Sequence, residues 1–319
     1  MHIGVFLPQA GGAATPEVLR DVAQAAEGLG FDSVWAGDHL VLPMRQRERY
    51  PFNPTGQFPV SPERPWLEPF TLLGYLAGQT SRVRLGTSVC ILPYRHPIEH
   101  AKMAADLDFL SGGRFIFGAG AGWWAEEFEA LGVPFAERGA RSDEQLEAIA
   151  RLWTEAAPSF AGRFYQFQEV ALEPKPVQRP RPPIWVGGNA LAAARRAGRF
   201  ADCWHPAIYG VGPEQAAAGL EAAREAARRA RRDAAAVQLV MWAPIALGDS
   251  AGDDGAAWER GTAAGTPGQV AAALGAYVKV GASGFVLVLG GSPDRRLADM
   301  ERLMREVAPA IGEAAGGST

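Results

Sequence analysis

Short apolar runs alternate along the chain with longer segments in which apolar residues recur at helical spacing. The first run, residues 3–7, precedes a segment at 16–29 that ends at Gly30, which is the pattern of a strand followed by a helix. The pattern recurs through most of the chain. The predicted strand and helix pairs are 3–7 with 16–29, 33–36 with 69–79, 83–89 with 97–110, 114–117 with 138–153, 183–186 with 190–200, 201–204 with 213–232, 238–247 with 267–280, and 284–289 with 294–307.

This repeat predicts a parallel sheet covered by helices, because each parallel connection needs a crossover. A closed (β/α)8 TIM barrel is the arrangement that accommodates the repeat most simply. The alternative is an open doubly wound sheet, but residues 8–12 read PQAGG and lack the GxGxxG signature expected after its first strand. We therefore predict one barrel domain at residues 1–311, with a flexible tail at 312–319.

Two insertions interrupt the repeat, and both can reach the C-terminal face of the barrel, where such folds place their active sites. Residues 39–68 are rich in proline and carry four aromatic residues, which predicts an apolar wall over a substrate. A surface loop packed on itself is the alternative. Residues 155–182 predict a small hairpin and an extended strap with a packing role. The aromatic residues of the first insertion are Tyr50, Phe52, Phe58 and Trp66.

Composition and charge disfavour a nucleic-acid-binding, membrane or zinc protein. The chain has 319 residues, 48% hydrophobic and 21% charged, with a formal net charge of −4, so no overall field attracts nucleic acid or an anionic membrane. Cys90 and Cys203 lack the spacing of a zinc site or a disulfide framework, and no metal site is predicted. The first residues lack a signal-peptide pattern and no apolar stretch is long enough to span a bilayer, so we expect a cytoplasmic protein.

Asp38 and His39 directly follow the second predicted strand, at the end where barrel enzymes place reactive groups. The imidazole of His39 suits proton transfer near neutral pH. Asp38 is predicted to orient that ring or to bind the polar edge of a cofactor. The alternative is that the pair caps the start of a loop.

Small residues end the third predicted strand and follow the fourth. Thr87 and Ser88 leave room for a flat ring to approach the backbone, although a bulge or barrel corner would use the same residue types. The glycine-rich stretch that contains Gly120, Ala121 and Gly122 would let main-chain groups contact a large planar or phosphorylated ligand.

The fifth strand leads into Gly187, Gly188 and Asn189 and then a helix, with Asn189 as the predicted N-cap. Free N–H groups at the start of a helix bind anions, so a phosphate site is predicted here, with an ordinary βα turn as the alternative. His205 ends the sixth strand and either faces the site or caps its own loop.

An acidic turn after Trp124 contains Glu126, Glu127 and Glu129, and these carboxylates are predicted to be solvated, although one could reach the site from the fourth loop. Trp35 and Trp185 lie inside predicted strands and are interpreted as barrel packing.

Taken together, seven motifs resemble the luciferase-like monooxygenase superfamily, and within it the branch that uses the deazaflavin coenzyme F420. The resemblance is strong over residues 1–206 and looser beyond. The motifs are FDSVWAGDH at 31–39, LGT at 85–87, HPIEHAK at 96–102, LDFLSGGR at 107–114, GAGAGW at 118–123, EFEALGVP at 127–134 and PIWVGG at 183–188.

The resemblance implies a barrel that holds a flavin-type ring at the strand mouth, with its phosphate near Gly187, Gly188 and Asn189. The ring would lie against Thr87 and Ser88, where relatives have a non-prolyl cis peptide that bows the deazaflavin. Asp38 and His39 match the Asp-His pair of F420-using relatives, in which the histidine contacts the reactive part of the ring.

We therefore expect hydride transfer between F420 and a small, fairly apolar organic substrate, with His39 managing the proton. Relatives that oxidise a sugar phosphate carry a glutamate where this chain has Ala121, which disfavours that substrate. An FMN-dependent monooxygenase supplied by a separate reductase is the alternative, and a non-catalytic flavin-binding barrel is a third. By resemblance we also expect a homodimer.

Overall fold

The computed structural model describes residues 1–248 and 263–316. Its strands are β1 (His2–Phe6), β2 (Ser33–Ala36), β3 (Arg84–Thr87), β4 (Cys90–Ile91), β5 (Phe115–Gly120), β6 (Phe160–Ala161), β7 (Gln166–Phe167), β8 (Ile184–Gly187), β9 (Cys203–His205), β10 (Gln238–Leu247), β11 (Ala263–Gly265) and β12 (Gly284–Leu289). Its α-helices are α1 (Pro16–Leu29), α2 (Pro69–Ala77), α3 (Pro97–Leu110), α4 (Ala125–Ala130), α5 (Arg138–Thr154), α6 (Leu191–Phe200), α7 (Pro213–Arg229), α8 (Pro267–Lys279), α9 (Pro293–Arg302) and α10 (Ala308–Gly316).

Parallel pairing closes the sheet into a barrel. The strands follow in the order β1, β2, β3, β5, β8, β9, β10 and β12, and β12 pairs again with β1. The closing registers set His2 opposite Gly284 and Cys203 opposite Gln238. Helices lie between successive strands, so the predicted (β/α)8 TIM barrel is confirmed.

Helix ends follow local chemistry. Helix α1 begins after Thr15, whose hydroxyl accepts a hydrogen bond from the Val18 N–H, and it ends at Gly30 with φ 85°. Helix α8 begins with a capping box between Thr266 and Gln269. These caps explain why the predicted starts of both helices agree with the structure.

The barrel interior is filled by apolar side chains that the strands direct inward. Trp35 and Trp185 pack there with their ring centroids 4.6 Å apart, together with Ile116, Val240 and Val286, which confirms their role in barrel packing. A larger apolar cluster lies between the strands and the outer helices. The rigid barrel positions the loops that follow each strand.

The third and fourth strands do not end where the sequence predicts. The third strand ends at Thr87, and after a cis Ser88–Val89 peptide bond the short strand β4 pairs with β5. The fourth strand continues to Gly120, through glycines that the sequence assigned to a turn. A Cβ atom on Gly118 would lie 1.7 Å from the Thr87 carbonyl oxygen, so the close approach of β3 and β5 requires glycine there.

At the C-terminal end, the predicted helix at 294–307 divides into α9, a π-helical turn at Leu303–Val307, and α10. Helix α10 extends to Gly316, within the predicted tail, and residues 317–319 lie outside the described residues. Across residues 1–248 and 263–316, no helix combines the length and the apolar character that a bilayer crossing needs. The predicted hairpin in the second insertion is confirmed as the antiparallel pair β6 and β7.

Candidate active site

A cavity of about 320 Å³ opens at the C-terminal ends of the barrel strands. Asp38 and His39, Ser88, and the pair Gly187 and Gly188 all line it, although they follow three different strands. The structure thus brings together five of the residues that the sequence selected. The predicted aromatic wall is also confirmed, because Tyr50, Phe52, Phe58 and Trp66 of the 39–68 insertion line the same cavity.

His39 is held by a buried carboxylate. Its Nδ1 lies 2.6 Å from Oε2 of Glu127, which is fully buried, and the imidazole itself is 9% exposed. Since a carboxylate only accepts hydrogen bonds, Nδ1 carries the hydrogen and donates it. The structure gives Nε2 no hydrogen-bond partner within the described residues, so Nε2 is left to contact a ligand in the cavity.

Glu127 accepts three further hydrogen bonds. The Tyr94 hydroxyl donates to Oε2 at 2.7 Å, and the N–H groups of Leu40 and Val41 donate to Oε1 at 2.7 and 3.3 Å. Burial, and then the neighbouring Glu127 carboxylate, raise the pKa of the Tyr94 phenol, so the phenol remains a donor at neutral pH. The start of the 39–68 insertion and Tyr94 are therefore joined to helix α4 at one carboxylate.

The prediction that the acidic turn is solvated is wrong for two of its three residues. Glu127 is fully buried and Glu126 is 8% exposed, whereas Glu129 lies at the surface. Glu126 accepts hydrogen bonds from the backbone N–H groups of Arg47 and Glu48. The turn is helix α4, and its buried carboxylates bind the backbone of the 39–68 insertion, which a local sequence pattern does not reveal.

Aromatic rings surround His39. Ring centroids of Phe58, Trp66 and Trp124 lie 5.0, 4.9 and 5.5 Å from that of the imidazole, and Trp123 follows at 6.3 Å, each in an edge-to-face arrangement. Such packing excludes water from the ring and strengthens its polar contacts. The site therefore combines one proton-transfer group with an apolar wall.

Asp38 does not orient His39, which corrects the first of its two predicted roles. Its carboxylate forms a two-point ion pair with Arg95, at 2.7 and 3.0 Å, and accepts a hydrogen bond from the Ile91 N–H at 2.9 Å. Arg95 also pairs with Glu68 at 3.0 Å. Asp38 thus joins the second strand to the β4 region, and its role toward a cofactor stays a prediction.

His205 faces the cavity and is also part of a buried pair. Its Nδ1 donates to the Val240 carbonyl oxygen at 2.7 Å, and its Nε2 lies 3.0 Å from the Ser88 hydroxyl. Burial lowers the pKa of His205 to about 4, so the ring is neutral at pH 7. The Ser88 hydroxyl therefore donates to Nε2 and retains its lone pairs for the cavity.

Most of the selected residues at the ends of the third and fourth strands do not line the cavity. The Thr87 hydroxyl donates to the Gly118 carbonyl oxygen at 2.7 Å and accepts from the Gly118 N–H at 3.0 Å. Space beside Gly120 and Gly122 is filled by the side chains of Val89 and Phe128 respectively. Within the described part of the chain, Thr87, Gly120, Ala121 and Gly122 are not cavity-lining residues. Their contact with a cofactor stays a prediction.

The turn after the fifth strand differs from the prediction in the N-cap residue of helix α6. Helix α6 begins after Ala190, and no side chain caps its first turn. Asn189 instead donates to the Tyr209 carbonyl oxygen at 2.6 Å and accepts from the Ala207 N–H at 2.8 Å. Asn189 is therefore not the N-cap, because contacts with the loop after β9 hold its amide. The uncapped helix start next to Gly188 keeps the features of an anion-binding site.

Two cavity-lining side chains carry a buried N–H donor without an acceptor. They are Nε1 of Trp66 and Nε of Arg296. Buried donors are rarely left unpaired, because each lost hydrogen bond costs about 1–3 kcal/mol. A ligand with acceptor atoms on its edges, such as a flavin-type ring, fits the Trp66 donor and the side-chain-free surface at Gly37, Gly187 and Gly188, and the Arg296 donor fits an anion.

Comparison with known proteins shows which proteins the chain resembles. The family profile described as luciferase-like monooxygenase matches residues 1–260. The chain is 33% identical over 272 residues to phthiodiolone/phenolphthiodiolone dimycocerosates ketoreductase of Mycobacterium bovis, with 82% of this chain and 71% of that protein covered. Relatives from Mycobacterium tuberculosis are 39% and 36% identical, and the chain spans 62% and 65% of their lengths.

Among solved structures, the monooxygenase RslO1 from Streptomyces bottropensis superposes with a TM-score of 0.79 at 26% identity, covering 97% of this chain and 99% of that one. An F420-dependent secondary alcohol dehydrogenase in complex with an F420–acetone adduct superposes with a TM-score of 0.78 at 18% identity, covering 97% and 98%, which is a likeness of fold. Solved structures of this fold contain F420 or FMN.

Proposed function

Because the chain belongs to the luciferase-like monooxygenase family, we propose that it is an F420-dependent oxidoreductase that exchanges hydride with a small, apolar carbonyl compound or alcohol. The observation that carries the proposal is the His39–Glu127 pair in a cavity that Gly187 and Gly188 also line. A proton-transfer group and an anion-binding turn that share one cavity are what a phosphate-bearing redox ring and its substrate require.

The residues present fit such a cofactor. The uncapped start of α6 and the adjacent Gly188 would bind its phosphate, and the Nε1 of Trp66 would donate to the polar edge of its ring. The Ser88 hydroxyl, fixed by His205, would support the face of the ring. When bound, F420 supplies the hydride chemistry, and the protein supplies orientation and electrostatics.

His39 manages the substrate proton in this proposal. Glu127 fixes the hydrogen on Nδ1, so Nε2 can accept a proton from a substrate hydroxyl as the alcohol is oxidised, and can return it to the carbonyl oxygen in the opposite direction. The aromatic wall excludes water, which keeps the substrate oxygen and Nε2 in direct contact. General acid–base assistance of this kind contributes about 10²–10⁴-fold to a rate.

Carbonyl chemistry is supported by the related ketoreductase, and by the acetone adduct in the structure that shares this fold. A second function, FMN-dependent monooxygenation, is favoured by the 26% identity to RslO1. The two functions differ in the cofactor that the same cavity binds.

The test is a titration of purified protein with F420 and, separately, with FMN, followed by quenching of cofactor fluorescence. Tight binding of F420, with reduction of apolar ketones by reduced F420, supports the proposal. The variant His39→Gln should bind F420 as the wild type does and should lose ketone reduction. Tight binding of FMN without a response to F420 would replace the proposal with the monooxygenase, and binding of neither would overturn both.

A further inference from the structure

One charged side chain of the cavity has no role in the proposed reaction. Arg296 lies in the first turn of α9, just after β12, lines the cavity and is 8% exposed. One of its terminal amino groups donates to the Leu289 carbonyl oxygen. The buried Nε has no hydrogen-bond partner, so the planar guanidinium is only partly satisfied by the protein.

No carboxylate among residues 1–248 and 263–316 pairs with Arg296. Asp299, on the next turn of α9, pairs with Arg295 at 3.2 Å and with Arg302 at 3.9 Å. Asp38, the cavity's own carboxylate, is paired with Arg95. Burial lowers the pKa of Arg296 to about 10, which leaves it a cation at pH 7.

A buried cation without a counter-ion is costly, and proteins retain such groups mainly where a ligand completes them. The guanidinium fork matches carboxylate and phosphate oxygens in a two-point contact, which makes these anions the expected ligands. The unpaired Nε is a donor already directed away from protein acceptors. The cavity around it is apolar, so the anion would be bound away from competing water.

This anion is distinct from the phosphate of the proposed cofactor. That phosphate is assigned to the tip of β8, and strands β9 and β10 separate β8 from β12 in the barrel order. The two cationic features therefore lie on different sectors of the cavity rim. This separation leaves room at Arg296 for a second anion, supplied by the substrate.

We propose that Arg296 binds an anionic group, a carboxylate or a phosphate, at the end of the substrate remote from its reacting carbon. The substrate class is then an apolar body with one charged end. The assignment of this anion to a substrate rests on the proposed function, whereas anion binding by Arg296 does not. Selectivity follows, because a neutral analogue would leave the buried charge unpaired.

The experiment uses benzoate as the probe and neutral benzamide as its match in shape, with tryptophan fluorescence or calorimetry as the measurement. The wild type should bind benzoate roughly tenfold or more tightly than benzamide, which is the usual effect of one charged hydrogen-bonded contact. Arg296→Met should remove that preference. Arg295→Met, on the same turn but paired with Asp299, should retain it. Inorganic phosphate, titrated in parallel, shows which anion class is favoured.

Arg296→Lys retains the charge but lacks the planar guanidinium, so its preference for benzoate over benzamide should be intermediate. This variant still tests the proposal if Arg296→Met fails to fold. Equal binding of benzoate and benzamide to the wild type, or an unchanged preference in Arg296→Met, would overturn the proposal. F420 titration of the same variants separates the two hypotheses. Arg296→Met should bind F420 as the wild type does, and a loss of F420 binding would reassign the anion to the cofactor. If the wild type binds benzoate preferentially but not F420, the anion site stands and the proposed function fails.

Discussion

Glu127→Gln should reverse the tautomer of His39. The N–H groups of Leu40 and Val41 can only donate, so the carboxamide oxygen must face them in place of Oε1. The carboxamide nitrogen then faces His39 Nδ1 and the Tyr94 hydroxyl in place of Oε2. Nδ1 must become an acceptor, and the hydrogen moves to Nε2.

The magnitudes follow from the contacts. Every hydrogen bond of Glu127 can be replaced, but all four lose the help of the charge, a difference of up to about 1 kcal/mol each. We therefore expect the free energy of unfolding to fall by up to about 4 kcal/mol, with the fold retained. Activity should fall much further, by about 10²–10⁴-fold, because Nε2 can no longer accept a proton.

Long-range ¹H–¹⁵N NMR of the imidazole rings measures the tautomer directly, and five histidines keep the spectrum simple. The His39→Gln spectrum assigns the His39 signals. The wild type should show hydrogen on Nδ1 and Glu127→Gln should show it on Nε2. Glu129→Gln, the same change at the exposed end of α4, is the control and should change nothing. A His39 ring that keeps its tautomer in Glu127→Gln would refute the reasoning.

Two further predictions concern stability. Burial lowers the pKa of His100 and of His205 to about 4, below the ordinary value of 6.5, so the unfolded chain takes up protons first as the pH falls. Stability should decline from pH 6.5 toward pH 4, by up to about 1.4 kcal/mol per pH unit for each histidine, and urea titrations at pH 7 and 5 should show a smaller decline in His100→Gln. Gly74 lies in the open middle of α2, so Gly74→Ala should raise the free energy of unfolding by about 0.5–1 kcal/mol. Gly118 lies against the Thr87 carbonyl oxygen, so Gly118→Ala should lower it by about 3 kcal/mol or more. Equal melting temperatures for the two variants would contradict this prediction.

The sequence predicts the barrel well because each buried strand is an apolar run and helices such as α1 and α8 have their own caps. The site is predictable where its residues directly follow strands, as His39, Ser88 and Gly188 do. The position of a residue relative to its strand is enough to place it at the site, and distant contacts need not be known.

The sequence allows one carboxylate of the acidic turn to reach the site but does not identify Glu127, because its partner His39 is 88 residues away and an acidic turn looks solvated. One signal was present: Glu127 lies at helical spacing from Trp124 and Leu131, on a partly apolar face. Asn189 was misassigned because capping preference is local, whereas Ala207 and Tyr209, which hold its amide, come from a later loop.

The two carboxylates of α4 grip the 39–68 insertion only at its beginning, at Leu40 and Val41 and then at Arg47 and Glu48. Residues 49–57, which none of these hydrogen bonds holds, can thus be exchanged, in evolution or by loop grafting, without releasing the imidazole of His39. One set of catalytic residues can in this way serve differently shaped substrates, each matched by a new run of residues 49–57.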